Sequence, residues 1–160
     1  MLKIRQFEWS DVEALNERVN DPEVCKYTTL SPPVSLESTV EYFTKKLEAK
    51  DIVLVAEYDN KVVGNIEIGR KGGKFSHVGD MGIAIKKEYW GKRIGTKLFE
   101  RAIKEAKIRR FKKLTYCVFE PNKRSINLVK EFGFRLAGRL KKQVMIGNKY
   151  YDELIFEKIL

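Results

Sequence analysis

Hydrophobic residues recur along this chain with two spacings, one typical of strands and one typical of helices. The alternating spacing predicts strands at Leu2–Phe7, around Ile52–Ala56, at Val62–Ile68, in the segment that ends at Ile85, at Leu114–Phe119 and on either side of Gly147-Asn148. Asp59-Asn60 lies between the second and third of these segments and is typical of a hairpin turn. We therefore expect those two strands to pair as a hairpin.

The helical spacing appears in four segments. It predicts a helix that carries Val12, Leu15 and Val19 behind a Ser10 cap, a helix over Leu36–Leu47, one opened by Gly95, and one between Asn122 and Phe132 that Gly133 closes. Hairpins join the middle strands, and helices separate the later ones. This order predicts an α/β fold, in which a mixed twisted sheet of about six or seven strands carries helices on both faces.

The segment between the fourth predicted strand and the third helix, Trp90–Thr96 (WGKRIGT), combines glycines with cations. A strand that turns directly into a helix points unpaired N–H groups and the positive end of the helix dipole at one place, which suits phosphate. The spacing fits neither a Walker A motif nor a three-glycine dinucleotide fingerprint, so kinases and nicotinamide oxidoreductases lose support. A plain turn with solvated charges is the alternative.

Composition limits the remaining possibilities. The 160 residues are enough for a substantial core, and we expect a single domain over residues 1–160. No run of about 18 apolar residues is present, and the start of the chain has no apolar signal sequence, which predicts a cytoplasmic protein. Cys25, Cys117 and the single His77 are far apart, so we expect neither a disulfide framework nor a metal site.

The formal net charge of +10 suits an anionic ligand or a ribonucleoprotein partner. The densest run of cations is Lys104–Lys113, in which Phe111 is the only aromatic residue. A solvated helix end explains this run better than nucleic-acid binding does, because no recognition motif surrounds it. Contact with RNA or the ribosome stays open as an alternative.

A second motif follows the fifth predicted strand, and it consists of Asn122, Arg124, Ser125, Leu128 and the pair Gly133-Phe134. Together with Trp90–Thr96, it resembles the two motifs of the GNAT superfamily of acetyl-coenzyme-A-dependent N-acetyltransferases, in the same order. The opening of the chain and Tyr151-Asp152 resemble the Rim-type branch, whose members acetylate the N-termini of ribosomal proteins. The resemblance extends over nearly the whole chain and implies a GNAT-like fold.

The resemblance also implies a site for acetyl-coenzyme A. Backbone groups of Ile83 and Ile85 would pair with the pantetheine arm as an added strand does. The pyrophosphate would lie against the loop residues, namely Trp90, Gly91, Lys92, Arg93, Ile94, Gly95 and Thr96. Asn122 and Ser125 would lie near the pantetheine or the thioester, and Asn122 is also a good N-cap.

Three positions depart from the family pattern. Trp90 stands where Arg or Gln is usual, and Arg93 stands where a middle Gly is usual, although the N–H and guanidinium of Arg93 can still reach a phosphate. Val129 stands where many members have the Tyr that is taken to protonate the departing thiolate. Ser125 is the substitute to test, and a structural role at the start of its helix is the alternative.

The implied reaction is a direct attack of a neutral amine on the thioester, with a backbone N–H near Ile83 stabilising the oxyanion. A base must accept the amine proton; Asp80 is the first candidate and Glu67 the second, although either carboxylate can be merely solvated. An α-amine, with a pKa of about 7.7–8.0, is far less protonated at neutral pH than a lysine at about 10.4. A site with a weak base and without the family's Tyr therefore fits an α-amine better.

The sequence thus predicts an acetyl-coenzyme-A-dependent N-acetyltransferase that acts on a primary amine, either a protein N-terminal α-amine or a free amino compound. A polyamine or another small amine is an alternative acceptor, for which Glu23, Glu37, Glu41 and Asp80 would supply carboxylates. A second alternative is a catalytically weak module that binds coenzyme A or RNA. The resemblance also allows a homodimer.

Overall fold

A single seven-stranded sheet organises the computed structural model, which describes residues 1–160. Its strands are β1 (Leu2–Gln6), β2 (Ile52–Tyr58), β3 (Lys61–Arg70), β4 (Val78–Ile85), β5 (Lys113–Phe119), β6 (Arg135–Ile146) and β7 (Lys149–Ile159), in the spatial order β1-β2-β3-β4-β5-β7-β6. All neighbours are antiparallel except β4 and β5, which are parallel. The predicted mixed sheet and the predicted hairpin of β2 and β3 are confirmed.

Five α-helices connect these strands. They are α1 (Val12–Val19), α2 (Pro22–Cys25), α3 (Leu36–Glu48), α4 (Ile94–Ile108) and α5 (Lys123–Glu131). The four-residue α2 was not predicted; Pro22 opens it, and the Asp21 side chain accepts the N–H of Glu23 at 2.9 Å. None of the helices combines the length and the apolar character that a bilayer crossing requires.

The helix caps agree with the sequence at α5 but not at α1. The Asn122 side chain accepts the backbone N–H of Ser125 at 3.3 Å, as the predicted N-cap of α5. The predicted Ser10 cap is wrong, because Ser10 lies inside a 3-10 turn at Trp9–Asp11. The side chain of Asp11, which is almost fully buried, accepts the Glu8 N–H at 2.8 Å instead.

Helices cover both faces of the sheet, as predicted. On one face α1 and α3 pack over β2 through a cluster of Phe7, Leu15, Phe43, Val53 and Val55. On the other face α4 and α5 pack through a larger cluster that includes Leu98, Phe99, Leu114, Tyr116 and Val129. Successive residues along a strand point to opposite faces of the sheet, so alternate residues of each strand belong to the two clusters. This arrangement is the origin of the two-residue period seen in the sequence.

The parallel pair β4 and β5 separates before either strand ends. Its ladder runs from Val78–Lys113 to Met81–Tyr116 and then stops. Beyond this point residues 82–85 and 117–119 face each other across what we call the β4–β5 gap. On its other side β4 continues to pair with β3, and Lys86 donates to the Val63 carbonyl at 2.8 Å. Because bonding alternates along an antiparallel ladder, Ile83 and Ile85 direct their backbone groups into the gap.

Gly64 on β3 is required by this arrangement, since it lies opposite Ile85. A Cβ at this position would lie 2.7 Å from the Ala84 carbonyl oxygen and 2.9 Å from the Ile85 Cα, and backbone atoms cannot rotate away. We expect Gly64→Ala to lower the free energy of unfolding by about 1–3 kcal/mol. The melting temperature (Tm) should fall by about 2–4 °C per kcal/mol.

The matched control for this prediction is Gly82→Ala on the neighbouring strand. No heavy atom lies within 4 Å of the Cβ position there. Thermal unfolding of the two variants side by side measures the loss of stability that the clash causes. Equal Tm values for Gly64→Ala and Gly82→Ala would contradict this prediction.

Candidate active site

The β4–β5 gap opens on the α4 and α5 side into a first cavity of about 420 Å³. Among the residues predicted to bind a cofactor, those that line it are Ile83, Ile85, Trp90, Gly91, Arg93, Ile94, Gly95, Thr96, Asn122 and Ser125. Lys92 is absent from this wall. Its Nζ lies 5.0 Å and 4.9 Å from the ring centroids of Tyr58 and Tyr89 instead. The two sequence motifs therefore meet around one cavity.

The loop before α4 has the backbone shape that an anion site needs. Gly91 and Arg93 both have positive φ, at 79° and 59°, and Arg93 is the N-cap of α4. A non-glycine residue in this region costs about 1–2 kcal/mol, which agrees with the Gly that the family resemblance implies at the position of Arg93. The first N–H bonded within α4 is that of Lys97, to the Arg93 carbonyl at 3.2 Å. The preceding N–H groups of the first turn are free to bind an anion.

Trp90 ties this loop to the gap. Its Nε1 donates to the Ile85 carbonyl at 2.8 Å, so that carbonyl is already bonded. The guanidinium of Arg124 lies 3.8 Å from the centroid of the Trp90 ring, a distance typical of cation–π stacking. Arg124 also lines the first cavity, although the sequence analysis assigned it no role beyond the motif. It is the second arginine, with Arg93, in the wall of the first cavity.

A hydroxyl cluster lies at the start of α5. Ser125 Oγ accepts from Asn122 Nδ2 at 3.1 Å and from the Tyr116 hydroxyl at 3.4 Å. Tyr116 is 5% exposed, and burial raises the pKa of its phenol. Val129, at the position of the family's Tyr, is fully buried and lines neither this cavity nor the next. Tyr116 on β5 is thus a functional candidate that comparison of helix motifs missed.

A second cavity of about 550 Å³ lies on the opposite face of the sheet, under α1 and α3. It shares Ile83, Ala84, Tyr116 and Cys117 with the first cavity, along with Tyr27 and Thr28 after α2. The two cavities therefore meet at the β4–β5 gap. At the gap, a group bound in the first cavity can reach a group bound in the second cavity.

Both predicted base candidates line the second cavity, in different environments. Glu67 is 9% exposed and accepts from the Tyr42 hydroxyl at 2.6 Å and from Asn65 Nδ2 at 2.7 Å. Burial and the neighbouring Glu67 raise the pKa of Tyr42, which keeps that phenol protonated. Asp80 is exposed and accepts the hydroxyl of Thr115. Of the two candidates, Glu67 is therefore the buried carboxylate in the wall of the second cavity, and Asp80 is the exposed one.

Of the four carboxylates expected for a polyamine, Asp80 alone lines the second cavity. Glu41 pairs with Lys45 at 2.7 Å, Glu23 pairs with Lys87 at 3.6 Å, and neither of them nor Glu37 lines the second cavity. Two cations, Arg18 and Lys46, line this cavity together with the carboxylates of Glu67, Asp80 and Glu153. The sequence analysis did not single out Arg18. Its position one helical turn after Leu15, which places a cation on the buried face of α1, was the signal that could have identified it.

Cys117 lines both cavities and is the one thiol near the gap. Partial burial and the nearby Glu153 and Asp80 raise the pKa of this thiol. A protonated thiol is a poor nucleophile. The local charges therefore disfavour transfer through an acylated cysteine.

Known proteins resemble the chain over almost its whole length. The acetyltransferase (GNAT) family matches residues 13–134. The L-amino acid N-acetyltransferase AaaT of Escherichia coli (strain K12) is 27% identical over 158 residues, which are 98% of this chain and 96% of that protein.

Solved structures agree with this match. A ribosomal-protein-alanine N-acetyltransferase from Brucella melitensis is 28% identical with a TM-score of 0.89, over 99% of each chain. A spermidine N-acetyltransferase from Vibrio cholerae, in complex with CoA and spermine, has a TM-score of 0.87 over 99% of this chain and 95% of its own. Its 22% identity shows a shared fold alone. Since the family match covers well over half of the sequence and the fold agrees, the chain belongs to the acetyltransferase (GNAT) family.

Proposed function

We propose that this protein is an N-acetyltransferase that uses acetyl-coenzyme A and acetylates a primary α-amine. The observation that carries the proposal is the junction of the two cavities at the β4–β5 gap. One cavity ends in a helix N-terminus suited to phosphate, and the other contains an enclosed carboxylate suited to an amine. Family membership supports acyl transfer, and the E. coli relative acts on L-amino acids.

The first cavity fits acetyl-coenzyme A, which would supply the acetyl group as a thioester. The free N–H groups of the first turn of α4 suit the pyrophosphate, with Arg93 and Arg124 adding charge beside them. No heavy atom lies within 4 Å of the Cβ position of Gly91, so the loop is open to a ligand. The unpaired edge at Ile83 suits the pantetheine amides. The CoA-bound structure from V. cholerae shares this fold.

Glu67 is the group that we propose accepts the proton of the attacking amine, directly or through water. It pairs in register with Gly82, next to Ile83 at the gap, whereas Asp80 pairs with Gly69 farther along the strand. Glu67 uses one hydrogen bond at each oxygen and retains further acceptor capacity. Asp80 is a rim carboxylate in this proposal, and it contributes to the charge around the acceptor.

Tyr116 is the group that we propose donates a hydrogen bond to the leaving thiolate. Tyr116 lines both cavities at the gap, and its hydroxyl contacts Ser125. Because burial raises the pKa of this phenol, it stays protonated at neutral pH. Ser125, held by the Asn122 cap, positions the phenol by accepting its hydrogen bond. Tyr116 would thus act as the proton donor in place of the family's helical Tyr, whose position is occupied by Val129.

Acetyl-coenzyme A at 100 times its Kd should raise the Tm by about 5–10 °C, because binding to the folded state then adds about 2.7 kcal/mol. NAD and ATP at the same concentration should raise it far less, since neither has a pantetheine arm to pair with the strand edge. Differential scanning fluorimetry measures all three. An unchanged Tm with acetyl-coenzyme A well above micromolar concentration would contradict the proposed cofactor.

The cation run at Lys104–Lys113 gives little support to an RNA-binding function. Arg109 donates to the Lys50 carbonyl at 2.9 Å and lies 3.6 Å from Glu105, while Phe111 is buried beneath Arg70. With its one aromatic ring buried, the run offers no stacking platform for bases. The helix-end interpretation is therefore preferred, and dimer formation stays a prediction from the family resemblance.

A further inference from the structure

The second cavity contains a matched pair of unsatisfied polar atoms. Arg18 Nε and Asn65 Oδ1 are the two buried side-chain atoms of the chain without a hydrogen-bond partner, and both residues line this cavity. One is a donor and the other is an acceptor. Buried polar atoms are nearly always bonded, so two orphans in one cavity point to a ligand that carries both an anion and an amine.

Arg18 is the cation of this pair. It is 7% exposed and takes part in none of the chain's ion pairs. Lys46, the other cation in the cavity, lies 3.3 Å from Asp51 and 3.6 Å from Glu67. Burial lowers the pKa of Arg18, but a guanidinium stays charged in proteins. A buried charge without a partner is destabilising, and a carboxylate matches the fork of a guanidinium.

Asn65 is the acceptor of the pair, and its orientation is fixed by chemistry. Its Nδ2 donates to Glu67 Oε1 at 2.7 Å, and a carboxylate can only accept. Oδ1 must therefore be the atom without a partner. Asn65 pairs in register with Ala84, which lines both cavities at the gap. An amine that donates to Oδ1 would lie beside Glu67 and next to the site of transfer.

We propose that the acceptor is a free α-amino acid, whose carboxylate binds Arg18 and whose amine donates to Asn65 Oδ1 beside Glu67. This inference rests on the proposed function and narrows its acceptor. A polyamine has no anion for Arg18, and the first residue of a peptide carries an amide in place of the α-carboxylate. Apolar residues such as Val19, Val34, Phe43 and Phe119 form much of the remaining wall, which suits a neutral side chain.

The test compares acceptors with an α-carboxylate, without any carboxylate, and with a carboxylate on the side chain. With acetyl-coenzyme A and thiol release as the readout, kcat/KM is measured for methionine, methioninamide, 3-(methylthio)propylamine and an Asp-Ala dipeptide amide. Methionine should exceed the two analogues without a carboxylate by about 10²-fold, the scale of losing one partner of a buried charge pair. Methionine should also raise the Tm where methioninamide does not, which reports binding without turnover.

Variants of Arg18 assign the effect to this residue. Arg18→Met should lower kcat/KM for methionine by about 10²-fold and leave methioninamide within about threefold of its wild-type value. Arg18→Lys should recover part of the loss, because the charge returns without the fork. The Tm of Arg18→Met should not fall, since the change removes an unpaired buried charge. If Arg18→Met does not fold, Arg18→Lys carries the same comparison.

Several outcomes would overturn the inference while leaving the proposed function intact. These are equal kcat/KM for methionine and methioninamide, an equal loss for both acceptors in Arg18→Met, or a preference for the Asp-Ala dipeptide amide, which would assign the carboxylate site to an N-terminal side chain. Failure of the proposed function looks different. In that case no amine releases thiol and acetyl-coenzyme A leaves the Tm unchanged.

Discussion

Tyr116→Phe is expected to lower kcat by about 10²-fold or more and to leave the Tm almost unchanged. The substitution removes only the hydroxyl, whose single contact is the 3.4 Å bond to Ser125. The ring remains in its buried place, with its centroid 5.9 Å from that of Phe99. A weak bond at this distance adds little to stability, but a missing donor at the thiolate raises the barrier to its departure. Steady-state kinetics together with thermal unfolding measure both quantities.

Ser125→Ala is the matched control for Tyr116→Phe. If Ser125 positions the phenol, its loss should lower kcat by only about tenfold, because Tyr116 keeps its own proton. The Asn122 cap accepts from the Ser125 backbone and therefore survives the change. A larger loss in Ser125→Ala than in Tyr116→Phe would make Ser125 the donor. Wild-type kcat in Tyr116→Phe would exclude the phenol from the reaction.

Glu67→Gln is expected to lower kcat/KM by about 10²–10⁴-fold at neutral pH, the range typical of a lost general base. Glutamine keeps the shape of the side chain and can still accept from Tyr42 or Asn65, but it cannot take a proton from the amine. The variant should then depend on amine that is already neutral. Its kcat/KM should rise about tenfold per pH unit up to the pKa of the acceptor amine and approach the wild-type value above it.

Asp80→Asn is the matched control for Glu67→Gln, and we expect a change of less than about threefold, because an exposed carboxylate is largely screened by solvent. The pH profile separates chemistry from structure, since Glu67 also contacts Tyr42 and Lys46. A loss in Glu67→Gln that is the same at every pH would indicate a positioning role. A larger loss in Asp80→Asn would move the base to the rim of the cavity.

The fold followed from the sequence because each strand and helix carries its own period. Most strands and the larger helices lie within a residue or two of their predicted bounds, and Gly133, at a φ of 77°, closes α5 as expected. The prediction that Ser10 caps α1 was wrong because the start of this helix depends on a contact with a residue distant in sequence. Asp11 is held by two hydrogen bonds of 2.8 Å from Arg5 on β1, which favours the 3-10 turn that displaces the cap. The preference of Ser for the N-cap position reflects neighbouring residues only, so it cannot predict such a long-range contact.

The site was only partly predictable for the same reason. The Trp90–Thr96 loop is continuous in sequence, and its spacing was sufficient to locate it. Arg18, Tyr116 and Arg124 enter the cavities from three different elements, so their contribution appears only when those elements pack together. Periodicity indicated the face that each occupies, but not which cavity lies against that face.

The two cavities lie on opposite faces of the sheet, and this separation affects how the reactants arrive and depart. In the proposed function each reactant occupies its own cavity, so neither has to leave before the other can bind. A bisubstrate inhibitor, in which a short tether joins the coenzyme A sulfur to an amino-acid nitrogen, would thread the opening between β4 and β5. It would combine both affinities in one molecule, and its optimal tether length would measure the thickness of the sheet at that point.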